Sequence, residues 1–234
     1  MTTHKYKFDR IKFWLDPVTS GAPEKRVKSC RPEWYLGLDN VSQLVVSTLE
    51  RYADKSDTVL EIGCGTGRNL VALKKAGFKY LSGIELSPKT VEVGRQHFPA
   101  YKRIQVLIGP AEHVIEEVGE IDVIYTAGLL MHIPPEHEWL FEQIAKKAQK
   151  VIMTIEGESL RAQSEHAWNR DYQLIFEKYG WVQVEMETCE NYPPLPATTI
   201  KRVFMKPAPI EIPVIETEAV AIGNLIDDPA IEVM

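Results

Sequence analysis

The sequence lacks the long apolar runs and paired cysteines that would suggest a membrane protein or a disulfide-stabilised fold. No stretch of its 234 residues approaches the roughly 18 consecutive apolar residues of a membrane-spanning helix. Cysteine occurs only at Cys30, Cys64 and Cys189, without the close pairs of a zinc site. We therefore expect a soluble, cytoplasmic chain with reduced thiols and no membrane contact.

Two catalytic patterns are also missing. There is no Gly-x-Ser-x-Gly segment, which argues against an α/β-hydrolase. No histidine pair has His-Glu-x-x-His spacing, and two prolines stand between His132 and His137. We predict no metal site.

The C-terminal segment, residues 208–234, lacks Lys and Arg but contains six acids. Because the whole chain has 33 acids and 27 bases, this segment accounts for the net charge of −6. Residues 1–31 instead hold eight bases and three acids, which leaves open a nucleic-acid contact or an ordinary solvated arm. We predict three parts: an N-terminal arm (1–38), one domain (39–207) and an acidic tail (208–234).

From Thr58 onward, β-rich runs alternate with helical patterns, which is typical of βαβ units on a parallel sheet. The connection 190–199 contains three prolines and cannot supply a crossover helix, so we expect the last strand to return antiparallel. The predicted fold class is α/β, with a seven-stranded, mostly parallel sheet, an antiparallel last strand and helices on both faces. The predicted strands are Thr58 to Cys64, Tyr80 to Leu86, Arg103 to Gly109, Ile121 to Ala127, Lys150 to Glu156, Trp181 to Cys189, and Ile200 to Lys206.

Several helices have recognisable start signals. Ser87 before Pro88 predicts a helix N-cap followed by proline at the first helical position. Asp39 or Asn40 is expected to cap the helix before the first strand. Pro135 opens one later apolar stripe, and a second stripe runs from Trp168 to Tyr179.

A glycine loop, Gly63-Cys64-Gly65-Thr66-Gly67, directly follows the first strand. Glycines let the chain turn sharply and let a ligand approach the backbone, and the next helix offers free N–H groups. A dinucleotide fingerprint would need glycine where Arg68 stands, so that fingerprint is not met. About 20 residues further on, Glu85 ends the second strand, where a carboxylate can bind both hydroxyls of a ribose.

The run from Val59 to Gly67 resembles the first motif of class I S-adenosylmethionine-dependent methyltransferases, and Glu85 matches their ribose-binding acid. The predicted strands also resemble the Rossmann-like sheet of that family, so the resemblance covers roughly residues 39–206. It implies S-adenosylmethionine as cofactor and S-adenosylhomocysteine as product. Pro110 stands where the family commonly has aspartate. The implied cofactor-binding residues are Glu61, Gly63, Cys64, Gly65, Thr66, Gly67, Asn69, Glu85, Leu86, Ala111, Glu112 and Ala127.

The catalytic candidate is His132, because ligand sites of open α/β sheets lie beyond the carboxyl ends of the strands and an imidazole accepts protons near neutral pH. Its segment resembles the Gly-x-Leu-x-His-Ile stretch of small methyltransferases, including ones of surface-sugar biosynthesis. A catalytic base, a pocket-lining residue and a structural histidine all remain open. The family often places a lid in its N-terminal arm. The candidate substrate-binding residues are Trp14, Trp34, Tyr35, His132, Glu156, Arg161 and Tyr192.

We expect methyl transfer to an oxygen or nitrogen of a small polar, sugar-like metabolite. Two alternatives remain open: methylation of RNA or protein, motivated by the basic arm, and a non-catalytic cofactor-binding scaffold, motivated by the acidic tail. The Asn-Pro-Pro-Tyr type of motif found in nucleic-acid amino-methyltransferases is absent, since Ala127-Gly128-Leu129-Leu130 stands there. The oligomeric state is left open.

Overall fold

The computed structural model describes residues 10–16, 31–159 and 167–207. The strands in these ranges are β1 (Thr58–Ile62), β2 (Tyr80–Glu85), β3 (Gln105–Ile108), β4 (Ile121–Ala127), β5 (Ala148–Gly157), β6 (Val182–Thr188) and β7 (Thr199–Met205). The α-helices are α1 (Arg10–Leu15), α2 (Asp39–Tyr52), α3 (Arg68–Lys75), α4 (Pro88–His97), α5 (Ala111–Val114), α6 (Trp139–Lys147) and α7 (Tyr172–Lys178). Arg161, Cys30 and the acidic tail lie outside the described residues. In the described ranges, no helix combines the length and apolar character needed to cross a bilayer.

The described strands form one sheet in the order β3-β2-β1-β4-β5-β7-β6. Strands β1 to β5 pair in parallel, and β7 is antiparallel to both β5 and β6. The predicted fold class, with its antiparallel last strand, is confirmed. The strand order changes direction between β1 and β4, and in open sheets the ligand crevice lies at such a point.

Apolar residues on both faces of the central strands explain why this sheet is covered by helices on both sides. On β1, Leu60 and Ile62 pack into one core cluster and Val59 packs into a second one. All three side chains are at most 1% exposed. Burying each such side chain stabilises the fold by roughly 1.5–3 kcal/mol. The near-continuous apolar runs of the sequence are therefore the pattern of a doubly covered parallel sheet.

The predicted helix starts are confirmed in part. The Ser87 hydroxyl accepts a hydrogen bond from the Thr90 N–H at 3.3 Å, and Pro88 begins α4 as expected. The prediction that Asp39 or Asn40 caps α2 is wrong, because the N-cap position is Leu38 and no side chain caps this helix.

The last apolar stripe begins later than expected. The Asp171 carboxylate accepts the N–H groups of Gln173 and Leu174 and so starts α7 at Tyr172. Trp168 therefore precedes the helix.

The glycine loop is held between α4 and the ring of Tyr101. A Cβ atom on Gly94 would lie 2.2 Å from the carbonyl oxygen of Thr66. A Cβ atom on Gly67, whose φ is +73°, would lie 2.3 Å from the Tyr101 ring. Glycine at these two positions lets the helix and the ring approach the loop closely.

We expect Gly94→Ala to lower the free energy of unfolding by about 1–3 kcal/mol, because the loop backbone must move to admit the methyl group. The expected loss is a net value, because alanine also favours the helix over glycine by roughly 1 kcal/mol. Urea denaturation measures the free energy of unfolding. Gly119→Ala is the control, since its Cβ would meet no atom within 4 Å. Equal stability of the two variants would contradict the close packing.

Candidate functional site

A cavity lies at the carboxyl ends of β1, β2 and β4, at the change in strand order. It brings together side chains from segments that are far apart in the sequence. The predicted site residues that line it are Trp14, Tyr35, Glu61, Gly63, Cys64, Gly65, Thr66, Asn69, Glu85, Leu86, Ala111, Ala127 and His132. The lining residues that the sequence interpretation missed are Arg10, Arg68, Ile84, Thr90, Gly109, Pro110, Gly128 and Leu129.

Glu85 fastens the glycine loop to the end of β2. Its Oε2 accepts the Gly65 N–H at 2.9 Å, and its Oε1 accepts the Ser87 N–H at 2.9 Å. Burial raises the pKa of Glu85, whereas the N–H groups of Ser87, Gly65 and Leu86 favour its charged form. A carboxylate has about four acceptor positions, so Glu85 can still accept hydrogen bonds from a ligand in the cavity.

Glu61 is a buried carboxylate at the end of β1, only 2% exposed. Its Oε1 accepts the Asn69 amide at 2.7 Å. Its Oε2 has no hydrogen bond of regular geometry among the described residues, and the nearby Tyr125 hydroxyl favours its charged form. Burial raises the pKa of Glu61 to about 7, opposed by Asn69 and Arg68. A buried, incompletely paired carboxylate is costly, so this oxygen is suited to a cationic ligand group.

Helix α1 covers one side of the cavity. Phe13 anchors it with a side chain that is 2% exposed. Arg10 forms an ion pair with Glu112, which is itself 2% exposed. The Trp14 ring stands edge-on to the His132 ring, with centroids 4.9 Å apart. The arm thus brings a cation and an indole ring next to the strand ends.

Several predicted site residues lie outside the cavity. Trp34 is 47% exposed and does not line the cavity. The Tyr192 hydroxyl donates to Glu187 at 3.2 Å, and its ring packs against the core beside α2. Gly67 is the N-cap residue before α3 and lies against the Tyr101 ring. Glu112 is placed beneath α1 by its ion pair.

Glu156 is not a cavity-lining residue, in contrast to the predicted substrate contact. The residue is fully buried at the end of β5, and its Oε1 accepts the Leu129 N–H at 3.0 Å. Its Oε2 accepts the Met131 N–H at 3.3 Å. Burial raises the pKa of Glu156, and the N–H groups of Leu130 and Leu129 oppose this. Glu156 therefore shapes the turn that presents His132.

The missed residues differ in how far the sequence could have indicated them. Arg68 directly follows the glycine loop, so its position in the first turn of α3 was readable from the motif. Arg10 lies about 50 residues before the loop and in no motif, so only folding brings it to the cavity. The described residues contain no cluster of three or more His, Cys, Asp or Glu side chains arranged for a metal ion.

This chain is similar to known proteins in sequence and in fold. Residues 59–150, from β1 into β5, match the family described as "Methyltransferase domain". This match places the glycine loop, Glu61 and Glu85 within a segment similar to a methyltransferase domain. This chain is 28% identical over 141 residues to the ribosomal protein L11 methyltransferase of Thermotoga petrophila, covering 57% of this chain and 52% of that protein. A Clostridium botulinum protein of the same name is 30% identical over 90 residues, which is 38% of this chain and 28% of that protein. The chain spans about half the length of the curated relatives it matches, or less.

Solved structures share the fold of this methyltransferase domain at low sequence identity. The magnesium protoporphyrin IX methyltransferase of Synechocystis, solved with bound S-adenosylmethionine, has a TM-score of 0.57 at 16% identity, over 87% of this chain and 92% of that one. A TehB-like S-adenosylmethionine-dependent methyltransferase of Corynebacterium glutamicum has a TM-score of 0.55 at 19% identity, over 72% and 88%. A Nostoc punctiforme protein described as a putative O-methyltransferase has a TM-score of 0.61 at 16% identity, over 80% and 62%.

We expect Glu156→Ala to destabilise the methyltransferase domain by roughly 1–3 kcal/mol for each buried N–H group that loses its acceptor. Glu156→Gln keeps one acceptor oxygen and should lose less. Urea denaturation at neutral pH measures both. Glu190→Ala removes an exposed acid and should stay within about 0.5 kcal/mol of the wild type. A Glu156→Ala protein as stable as Glu190→Ala would refute the bracing role.

Proposed function

We propose that this methyltransferase domain binds S-adenosylmethionine in the cavity and transfers its methyl group to an oxygen or nitrogen of a small polar, sugar-like substrate. The observation that carries the proposal is the convergence of Glu61, Glu85 and Gly65 on one cavity at the switch point of the sheet. The family match and the fold shared with a structure solved with S-adenosylmethionine support it. The buried free thiols of Cys64 and Cys189 support the cytoplasm as the place of reaction.

The chemistry of the lining residues fits this cofactor. The free acceptor positions of Glu85 suit the two ribose hydroxyls. The unpartnered Oε2 of Glu61 suits the ammonium group of the methionine portion. Leu86 and Ala111 provide apolar surface for the adenine ring. Glu112, expected from the sequence beside the adenine, is instead assigned to holding α1 in place.

When bound, S-adenosylmethionine supplies an activated methyl group for in-line displacement, so the protein mainly needs to align the acceptor and exclude water. Trp14 and Tyr35 line the cavity and would cover the acceptor. His132, beside the Trp14 ring, is the residue proposed to accept its proton. The arm, residues 1–38, would thus act as the lid of the site.

The cover formed by α1 favours a small acceptor, because Arg10 and Trp14 line the cavity and the Trp14 ring packs against His132. Protein methylation is the second candidate, since relatives of this chain are ribosomal protein L11 methyltransferases. Those alignments cover about half of the relatives or less, so we rank it below the small acceptor.

We expect Glu85→Ala to weaken binding of S-adenosylhomocysteine about 100-fold or more, because two hydrogen bonds to a charged group are lost. Titration calorimetry measures the affinity. Glu92→Ala, an exposed acid on α4, should bind like the wild type. If the wild-type protein shows no binding, the proposed cofactor is wrong. If Glu85→Ala retains full affinity, Glu85 does not hold the ribose.

We expect His132→Ala to reduce methyl transfer about 100-fold or more, the usual contribution of a positioned base, with cofactor affinity nearly unchanged. The assay measures methyl transfer from labelled cofactor to separated fractions of a cell extract: small metabolites, ribosomal protein and RNA. His97→Ala, which lies outside the cavity on α4, is the control. Full activity of His132→Ala would remove His132 as the base.

The fraction that becomes labelled tests the substrate class in the same assay. Label in the small-metabolite fraction supports our proposal, and label in ribosomal protein supports the second candidate. Label in RNA would instead support nucleic-acid methylation. Cofactor binding without label in any fraction would indicate a non-catalytic scaffold.

A further inference from the structure

Arg170 is a largely buried cation beside the segment that carries His132 (residues 128–134, the His132 segment). Its side chain is 11% exposed and does not line the cavity. Its Nη2 donates to the carbonyl oxygen of Ile133 at 2.8 Å. Its Nη1 donates to the Trp168 carbonyl oxygen at 2.6 Å and makes a longer contact of 3.5 Å with the Leu130 carbonyl oxygen. One guanidinium thus joins the His132 segment to the residues before α7.

The guanidinium of Arg170 is itself held from two sides. Its Nε donates to the Glu138 carboxylate at 2.8 Å. Its central carbon lies 5.3 Å from the centroid of the Phe141 ring, and Phe141 is a core residue of α6 at 2% exposure. A planar guanidinium that stacks on a ring presents its N–H donors in a fixed direction. Arg170 is therefore a rigid anchor for the His132 segment.

Glu156 holds the N–H side of the same segment. Its two oxygens accept the N–H groups of Leu129 and Met131. The Met131 carbonyl oxygen in turn accepts the Trp168 N–H at 2.7 Å. Loops are usually the more mobile parts of a fold. Here two charged side chains instead fix the backbone on both sides of His132.

Stability alone does not account for this use of buried charge. Replacing buried charged groups by apolar residues is often neutral or stabilising, and a surface segment can hydrogen-bond to water. Neither Arg170 nor Glu156 lines the cavity, so neither is placed to bind a ligand there. Both act on the backbone around His132, which does line it. A reacting side chain must be held within about 0.5 Å of its productive position by the residues that support it.

We propose that Arg170 is a positioning residue that acts through His132. By holding the carbonyl groups of Leu130 and Ile133, it keeps the imidazole in place beside the Trp14 ring. The assignment rests on the function proposed above, in which His132 accepts the proton of the methyl acceptor. Methyl transfer then depends on Arg170 although this residue does not line the cavity.

A double-mutant cycle with His132 tests the assignment. We expect Arg170→Gln to slow methyl transfer from labelled cofactor about 10- to 100-fold, the loss typical of a reacting group displaced by about 1 Å. The affinity for S-adenosylhomocysteine, measured by calorimetry, should stay within about 3-fold of the wild type, because distant sites are nearly independent. In a His132→Ala background, Arg170→Gln should slow transfer less than about 3-fold further, since residues that act as a unit are not additive. A general structural role would multiply the two losses.

Two further variants separate the carbonyl contacts of Arg170 from its ion pair. Arg170→Lys keeps the charge but loses the fork of donors, so its rate should lie between those of Arg170→Gln and the wild type. Glu138→Ala removes the charged partner, which is 52% exposed. Transfer by Glu138→Ala should stay within about 2-fold of the wild type, because exposed ion pairs contribute little. Thermal unfolding midpoints show which variants fold, and Arg170→Lys replaces Arg170→Gln in the cycle if only the lysine variant folds.

Nuclear magnetic resonance of protein with isotope-labelled histidine gives a readout that requires no methyl acceptor. The ring signal of His132, identified by its loss in His132→Ala, should shift in Arg170→Gln and stay in place in Glu138→Ala. An unshifted His132 signal in folded Arg170→Gln, multiplied losses in the double variant, or full activity of His132→Ala would overturn the assignment. A wild-type protein that labels no fraction would instead reject the proposed function, and the His132 signal would still decide whether Arg170 positions this ring.

Discussion

The hydrogen bond from the Gly65 N–H to the Glu85 carboxylate is the interaction on which the site depends. It joins the loop after β1 to the end of the neighbouring parallel strand β2 at 2.9 Å. A second bond from the same carboxylate to Ser87 fixes the start of α4, whose Gly94 packs against the loop. The loop in turn begins α3, so the positions of Arg68 and Asn69 also follow from this contact.

The buried charged residues near the carboxyl ends of the strands fall into two groups. The groups differ in which partners offset the free-energy cost of burying the charge. Glu85 and Glu156 each accept two backbone N–H groups with both oxygens, which stabilises the charged form and fixes a turn. Glu61 and Arg68 are held by neutral partners and keep one open side each. Glu156 lies outside the cavity and braces a turn, whereas Glu61, Glu85 and Arg68 line the cavity, where an open acceptor or donor position can serve a ligand.

Helix α1 is held by contacts that differ in kind from those of the glycine loop. α1 is only six residues long, and isolated helices of that length are not stable in water. It is held by the buried ring of Phe13, the ion pair of Arg10 with Glu112 and the edge contact of Trp14 with His132. Since Arg10 and Trp14 also line the cavity, the contacts that stabilise the helix are the ones that enclose the site.

Features that depend on neighbouring residues could be predicted from the sequence: seven strands from apolar runs, the cap Ser87-Pro88, the glycine loop, and Glu85 at a strand end. The apolar pattern did not locate the start of the last helix, because the side chain of Asp171 caps α7 and so places its start after Trp168. Only the tertiary structure separated the buried brace Glu156 and the exposed Trp34 from the residues that line the cavity. It alone also brought Arg10 to Glu112 and joined Arg68 to Glu61 through Ser42. The physical reason is that strand register and helix crossovers set these distances, and no local sequence pattern encodes them.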